Sequence, residues 1–320
     1  MGQNNQKSAK IYSDPLQKCE FYSKQHKKRQ FTSGVSQDIG GRPYQEDRYI
    51  MIDDLQSSQS QYVTIPSALY VVLDGHGGYQ CAEYVKANFV NIFVQTDAFQ
   101  SMDYPAAFRS TYKELETTWN EQASLYKMEG WSSGTCVLAC LVVSEGIYVS
   151  WVGDCRMTGY SDLDMKHVQR ITVDQKPTAP KELSRILKAG AKVKHIKIPG
   201  GCFRNSKGPD RVYPGGLAVA RSIGTIKCKQ SKYGAVDGAI VGYPEVRYIN
   251  VDEFQGVRWS VILFMLNSFF SFFLFFFEII RNYYISFKLN PNSVSLTYFL
   301  TYFFKLYSFY YHYNSMQMFV

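Results

Sequence analysis

From Val257 to Val320 this 320-residue chain contains no glycine, no alanine and no aspartate, and its single acidic residue is Glu278. That excludes an ordinary soluble domain in the segment. The same stretch holds 14 Phe, 8 Tyr and 1 Trp, so 23 of the chain's 51 aromatics fall there. Before Gly256 the composition is mixed, and a hydrophobic content of 46% over the whole chain is ample for a buried core.

Other absences narrow the function. The seven cysteines, Cys19, Cys81, Cys136, Cys140, Cys155, Cys202 and Cys228, are odd in number and never spaced as C-x-x-C. This argues against a disulfide framework or a zinc site, and for a reducing, cytoplasmic setting. The polar start does not resemble a signal peptide, and Gly2 lacks the Ser or Thr at position 6 of a myristoylation pattern. The net charge is +8, of which +3 lies in the tail, and much of the rest sits in Lys7, Lys10, Lys18, Lys24, Lys27, Lys28 and Arg29. Residues 1–29 therefore read as a solvated, flexible arm. Basic residues are not interleaved with aromatics on one face, so nucleic acid is not an expected partner. There is no internal repeat.

The remaining pattern mixes strands and helices. Phe31 to Ile52 and Tyr62 to Leu73 read as strands, with Leu55 to Gln61 an exposed loop. Tyr79 to Gln95 has helical spacing, and Pro105 to Lys127 carries Phe108, Tyr112, Leu115 and Trp119 on one helical stripe. Thr135 to Val143, Gly146 to Val152 and Met157 to Tyr160 suggest an antiparallel meander. Pro180 to Ala189 predicts a helix with Leu183, Ile186 and Leu187 apolar and Gly190 as its stop, and Lys192 to Arg211 a surface flap.

Two acidic clusters carry the chemistry. Asp74-Gly75-His76-Gly77-Gly78 follows the apolar run Ala68 to Leu73, where a buried strand should end, and Arg42-Pro43-Tyr44-Gln45-Glu46-Asp47-Arg48 lies upstream. A carboxylate fixed at a strand end, beside glycines that let backbone approach a ligand, suits a hard cation. Metal-assisted hydrolysis of a phosphate ester needs carboxylates for cations, a cationic clamp for phosphate and a proton donor for the leaving group. Asp74, the Gly75 carbonyl, Glu46 and Asp47 are candidates for the metal or its waters, Arg42 for the clamp and His76 for the acid.

The order of motifs resembles that of the type 2C, metal-dependent (PPM-type) protein serine/threonine phosphatases. The resemblance is carried by Arg42-x-x-x-Glu46-Asp47-Arg48, Val72 to Gly78, Ser133-Gly134-Thr135, Val152-Gly153-Asp154-Cys155-Arg156, Asp174-Gln175-Lys176-Pro177 and Gly216 to Gly224, and it covers about residues 30 to 250. It implies an α+β fold, a four-layer αββα sandwich of two antiparallel sheets flanked by helices. It also implies hydrolysis of phosphoserine or phosphothreonine in phosphorylated protein substrates by a metal-activated water, at a binuclear Mg²⁺ or Mn²⁺ centre. By the resemblance Asp74 and Gly75 ligate that centre, Glu46 lies in or beside its shell, Asp154 matches an acidic position near a third, weaker metal, Arg42 the phosphate-binding position and His76 the general acid, while Asp47 stays a metal candidate from its place beside Glu46.

Departures from the family pattern shape the remaining expectations. Thr225 stands where the family places an aspartate, and the later Asp-Gly-x-Trp-Asp and Asp-Asn segments have no counterpart. The domain, 30–256, is therefore expected to be incomplete at its C-terminus, and a catalytically inactive phosphoprotein-binding protein is the alternative function. The tail, 257–320, has two readings. Its residues favour A/T-rich codons and Val257-Arg258 is compatible with a splice-donor start, which suggests read-through sequence. Alternatively Trp259 to Phe277, uncharged over its length and flanked by Arg258 and Arg281, is long enough for a membrane helix.

Overall fold

The computed structural model describes residues 20–26, 31–37, 39, 43–161, 168–197, 207–250, 258–264 and 273–280. In chain order the strands are β1 (Glu20–His26), β2 (Phe31–Gln37), β3 (Arg48–Ile52), β4 (Ala68–His76), β5 (Gly134–Val142), β6 (Gly146–Val152), β7 (Arg156–Ser161), β8 (Val168–Arg170), β9 (Lys192–Lys197), β10 (Lys207–Tyr213), β11 (Ile223–Gly224), β12 (Glu245–Asn250), β13 (Arg258–Phe264) and β14 (Phe273–Ile280). The helices are α1 (Leu55–Ser58), α2 (Gln80–Gln95), α3 (Asp97–Gln100), α4 (Tyr104–Gln122), α5 (Lys127–Ser132) and α6 (Pro180–Lys188).

Two antiparallel sheets carry the molecule. One runs β12-β6-β5-β4-β3 with β11 added to β5, the other β1-β2-β14-β13-β7-β8, and β9 and β10 form a separate hairpin. The alternation along β4 explains why its sequence is an unbroken apolar run. Leu69, Val71 and Leu73 join a cluster with α2 and α4 on one side, whereas Ala68, Tyr70 and Val72 join Leu138, Val149 and Met157 on the other. Both faces of the strand are covered, so neither needs polar residues.

α4 shows the local logic of a surface helix. Asp103 caps it by accepting from Ala106 N at 3.0 Å, Pro105 occupies its first turn, and the stripe Phe108, Tyr112, Leu115 and Trp119 is fully buried. Each such side chain contributes about 1.5–3 kcal/mol relative to leaving it exposed. Phe93 of α2 stacks on Phe108, with ring centroids 4.5 Å apart.

Several expectations are corrected. Leu55 to Gln61 is not simply loop: Asp54 caps the short α1 through Ser57 N at 3.1 Å, and Leu55 is fully buried. The third run of the expected meander, β7, leaves its neighbours and pairs instead with β13 and β8 in the second sheet. In α6, Ile186 is buried but Leu187 is exposed. Residues 20–26 of the expected arm form β1, paired with β2.

The tail differs most. Where a membrane helix was one expectation for Trp259 to Phe277, β13 and β14 pair antiparallel with each other, β13 with β7 and β14 with β2, completing the second sheet. Among the described residues no helix is long and apolar enough to cross a membrane.

Candidate active site

Strand pairing builds the site. In the β4–β5 ladder Asp74 lies opposite Cys136, Gly75 opposite Thr135 and His76 opposite Gly134, while β11 sets Ile223 against Thr135 and Gly224 against Gly134. Directly opposed residues of an antiparallel pair share a face. Asp74 thus continues the face of Tyr70 and Val72, at the end of the core between the sheets, and is only 6% exposed.

The upstream acidic segment crosses this strand end at close range. A Cβ on Gly75 would sit 2.2 Å from the Glu46 carbonyl oxygen, so only glycine admits the crossing. Glu46 Oε1 in turn accepts from Gly78 N at 2.7 Å, tying the two motifs together. Asp47 is buried beside it. Its backbone carbonyl accepts from Arg48 at 2.8 Å and from Gln37 Nε2 at 3.3 Å.

Asp154 arrives from the β6–β7 turn. Gly153 N donates to Gln175 Oε1 at 2.7 Å and Gln175 N donates back to the Gly153 carbonyl at 3.0 Å, which pins the turn. Cys136 Sγ donates to Asp154 Oδ1 at 3.4 Å, and the Lys176 ammonium forms an ion pair with Asp154 Oδ2. Burial would lower the Lys176 ammonium, but the Asp154 charge and hydrogen bond hold it above its ordinary value. One ligand atom each from Asp74, Cys136 and Asp154 lie within 4.8 Å of one another, and all three residues are buried. Burial pushes the neighbouring Cys155 thiol well up, and the charges of Asp74, Asp154 and Asp47 push it further. These carboxylates therefore cluster around one buried thiol.

His76 lies at the rim, partly exposed, with Nε2 3.0 Å from Thr225 Oγ1. Burial of the ring lowers its pKa to about 4, against the opposing pull of Asp154 and of a hydrogen bond to the Asp74 backbone. The imidazole is therefore neutral at pH 7. Thr225 is held in the left-handed region at φ 55, with its N–H donating to the Ser133 carbonyl at 2.8 Å. The preceding Gly224 N donates to Glu116 Oε2 at 2.9 Å, and Lys229 bridges Glu116 and the Ser222 carbonyl.

Of the residues singled out in the sequence, Glu46, Asp47, Asp74, Gly75, His76 and Asp154 gather at this end of the sandwich, and Arg42 lies outside the described residues. Sequence reasoning gave no role here to Cys136, Lys176 and Thr225. The signal for Cys136 was its place two residues after Ser133-Gly134, which strand pairing sets opposite Asp74. Asp174, in the same signature as Lys176, holds Arg156 through two bonds of 2.9 and 2.6 Å and also pairs with Arg170 at 2.5 Å. A separate groove of about 590 Å³, lined by Val35, Tyr49, Met51, Asp53, Asp54 and Ser57 among others, carries none of the site residues.

Comparison with known proteins bears on the family and the fold. The family described as protein phosphatase 2C matches residues 33–255. The chain is 30% identical over 238 residues to "Probable protein phosphatase 2C 43" of Arabidopsis thaliana, covering 69% of this chain and 51% of that protein. It is 33% identical over 181 residues to "Probable protein phosphatase 2C 2" of Oryza sativa subsp. japonica, covering 52% of this chain and 45% of that protein. The chain thus spans about half the length of the curated relatives it matches. Among solved structures, a C. elegans sex determining protein superposes with a TM-score of 0.59 at 17% identity, covering 78% of this chain and 64% of that one. A serine-threonine phosphatase 2C from Toxoplasma gondii superposes with a TM-score of 0.54 at 20% identity, covering 72% and 77%. At those identities the superpositions speak to the fold.

Proposed function

This chain belongs to the protein phosphatase 2C family, and from that premise we infer that it hydrolyses phosphoserine and phosphothreonine esters in proteins, with Mg²⁺ or Mn²⁺ as a binuclear cofactor. The observation that carries this reading is the convergence of Asp74 and Asp154 in one buried pocket beside His76.

The donor chemistry fits an oxygen-seeking cation. Asp74, the Gly75 carbonyl and Asp154 would hold it, with Glu46 and Asp47 ordering its waters, a set of hard oxygen donors. When bound, such ions supply Lewis acidity and make water acidic enough to attack at neutral pH. The chain's own residues do the rest. Arg42 is assigned to clamp the phosphate oxygens. His76 Nε2 faces Thr225 Oγ1 and is the atom assigned to give a proton to the departing serine or threonine oxygen. A neutral imidazole cannot give that proton readily, but an arriving phosphate dianion favours the charged form and recruits it as an acid. Lys176 neutralises part of the carboxylate charge until a cation arrives.

The test is Mn²⁺-dependent release of phosphate from a phosphothreonine peptide by the full chain. Turnover should disappear with EDTA, return with Mn²⁺ and be lost in Asp74→Asn. Mn²⁺-independent release, or none by folded protein with Mn²⁺ present, overturns the reading.

A further inference from the structure

We propose that Trp131 and Tyr233 form an aromatic docking platform beside the catalytic cleft. Its occupant is the segment of a phosphoprotein that flanks the phosphorylated residue, where that segment mixes aromatic or aliphatic side chains with acidic ones. The proposal rests on the phosphatase reading for its occupant and deepens it by naming a substrate class.

Backbone contacts set the platform in place. α5 ends at Ser132, and a Cβ on Gly77 would lie 2.5 Å from the Ser132 carbonyl oxygen, so the end of this helix rests against the turn that follows His76. Thr225, which faces His76 and donates its N–H to the Ser133 carbonyl, leads into two short 3₁₀ turns, Ile226–Cys228 and Ser231–Tyr233. The two segments meet where Trp131 packs on Tyr233, with ring centroids 5.6 Å apart and planes 32° from parallel. Two covalent steps and one backbone contact separate His76 from Trp131, a path of about 12 Å that three or four residues of extended peptide span. A substrate whose phosphate sits at the cleft therefore brings its near neighbours over these rings.

Isolated exposed aromatics are ordinary, so the argument rests on the pairing, the place and the charge. Trp131 is half-buried against the core, which holds it in position, and Tyr233 is 36% exposed. Rigid aromatics of this kind offer a large contact area at little cost in conformational freedom. The stretch from Ile226 to Tyr233 carries three lysines and no acidic residue. Lys229 is engaged with Glu116 and the Ser222 carbonyl, whereas Lys227 and Lys232 are exposed. Lys232 Nζ lies 5.0 Å from the centre of the Tyr233 ring, so the platform is aromatic and positively charged at once. Asp237, the next acid along the chain, is turned back to accept from Ser231 N at 2.8 Å. An apolar side chain on the rings with carboxylates beside Lys227 and Lys232 is complementary to this surface, and a basic flank is repelled.

The experiment measures binding and turnover separately on the full chain with Mn²⁺. Fluorescence anisotropy follows two labelled peptides in which a phosphonate that cannot be hydrolysed replaces the phosphate ester. One carries Phe and Glu at the positions flanking the phosphonate on both sides, and the other carries Ser and Gly there. The Phe/Glu peptide should bind about tenfold more tightly. Trp131→Ala and Tyr233→Ala should each remove most of that preference, and Lys232→Glu should reduce it. All three should leave Mn²⁺-dependent hydrolysis of p-nitrophenyl phosphate, which has no flank, at the wild-type rate. Equal binding of the two peptides by the wild type overturns the platform, as does a preference unchanged in Tyr233→Ala. Tyr233 and Lys232 are exposed, so their variants decide should Trp131→Ala fail to fold. Hydrolysis of p-nitrophenyl phosphate without a peptide preference removes the platform and leaves the phosphatase reading, and a preference without hydrolysis does the reverse.

Discussion

Thr225 Oγ1 lies 3.0 Å from His76 Nε2, and Thr225 is one of two non-glycine residues with positive φ among the described residues. A β-branched residue held at φ 55 is strained, and the surrounding bonds from Ser133, Glu116 and Lys229 enforce it. The strain places a neutral hydroxyl against the nitrogen assigned as proton donor.

Thr225→Val keeps the side-chain shape and removes that hydroxyl. Losing the hydrogen bond to His76 corresponds to about 1.4 kcal/mol, so kcat should fall about tenfold with KM little changed, while the contact with Ser222 Oγ at 3.2 Å is lost as well. Thr225→Asp instead sets a carboxylate beside the ring and should raise His76 from about 4, moving the acid-limited limb of the kcat profile to higher pH. Steady-state kinetics across pH checks both. An unmoved profile in Thr225→Asp would show that the contact does not govern His76.

How far this site could be read from sequence depends on the range of the interaction. β4, α2 and α4 were legible because each hides one face or two, and periodicity records that: the stripe Phe108, Tyr112, Leu115 and Trp119 is buried as its spacing predicts. The motif acids were legible as motifs. Contacts such as Cys136 to Asp154 or Thr225 to His76 were not, because they depend on which strands pair and in what register, and no local pattern states that. β7 and the membrane-helix alternative for the tail depend on the same kind of pairing. Residues 157–160 look like the next strand of a meander, and Trp259 to Phe277 looks like a membrane helix, until strands far apart in sequence are paired.

Gly75→Ala should be severe although it adds one methyl group. The new Cβ would lie 2.2 Å from a backbone oxygen of Glu46, which cannot rotate away as a side-chain tip would. Either β4 or the Glu46 segment must shift, at a cost of about 1–3 kcal/mol, and the Glu46 bond to Gly78 N goes with it. Urea unfolding should show the loss of stability, and Mn²⁺ titration should show weaker binding in the folded fraction. Binding equal to wild type would mean that Glu46 is not needed at its present distance.

Ser133 supplies a helix cap from outside the helix. Tyr79, at the start of α2, gives no side-chain cap, and Ser133 Oγ instead accepts from Cys81 N at 2.9 Å while donating to the Gly78 carbonyl at 2.8 Å. Ser133→Ala should cost about 1 kcal/mol, as for a lost cap. It should also free the Gly77–Gly78 turn. Thermal unfolding measures the first effect and hydrogen exchange at the start of α2 the second. Protection equal to wild type would show that another group caps Cys81 N.

Arg221 and Glu182 give the protein a second acidic-range dependence, away from the metal pocket. Arg221 is 2% exposed, and its guanidinium donates to Glu182 at 3.1 and 2.5 Å, with Arg185 adding a bond of 2.6 Å to the same carboxylate. Burial would raise the Glu182 carboxyl, but the hydrogen bonds from Arg221 and Arg185 outweigh it and hold the group below its ordinary 4.5. The sign follows from proton binding: between the folded value and 4.5 the unfolded chain holds more protons than the native one. The pair's contribution is therefore complete above pH 4.5 and is lost as pH falls through the folded value. Glu182→Gln should destabilise by about 3 kcal/mol at neutral pH, because the buried Arg221 loses its closest counter-charge. It should also flatten the acid limb of the stability profile. Denaturant melts from pH 7 downward compare the two proteins directly, and parallel profiles would assign the acid sensitivity to other carboxylates.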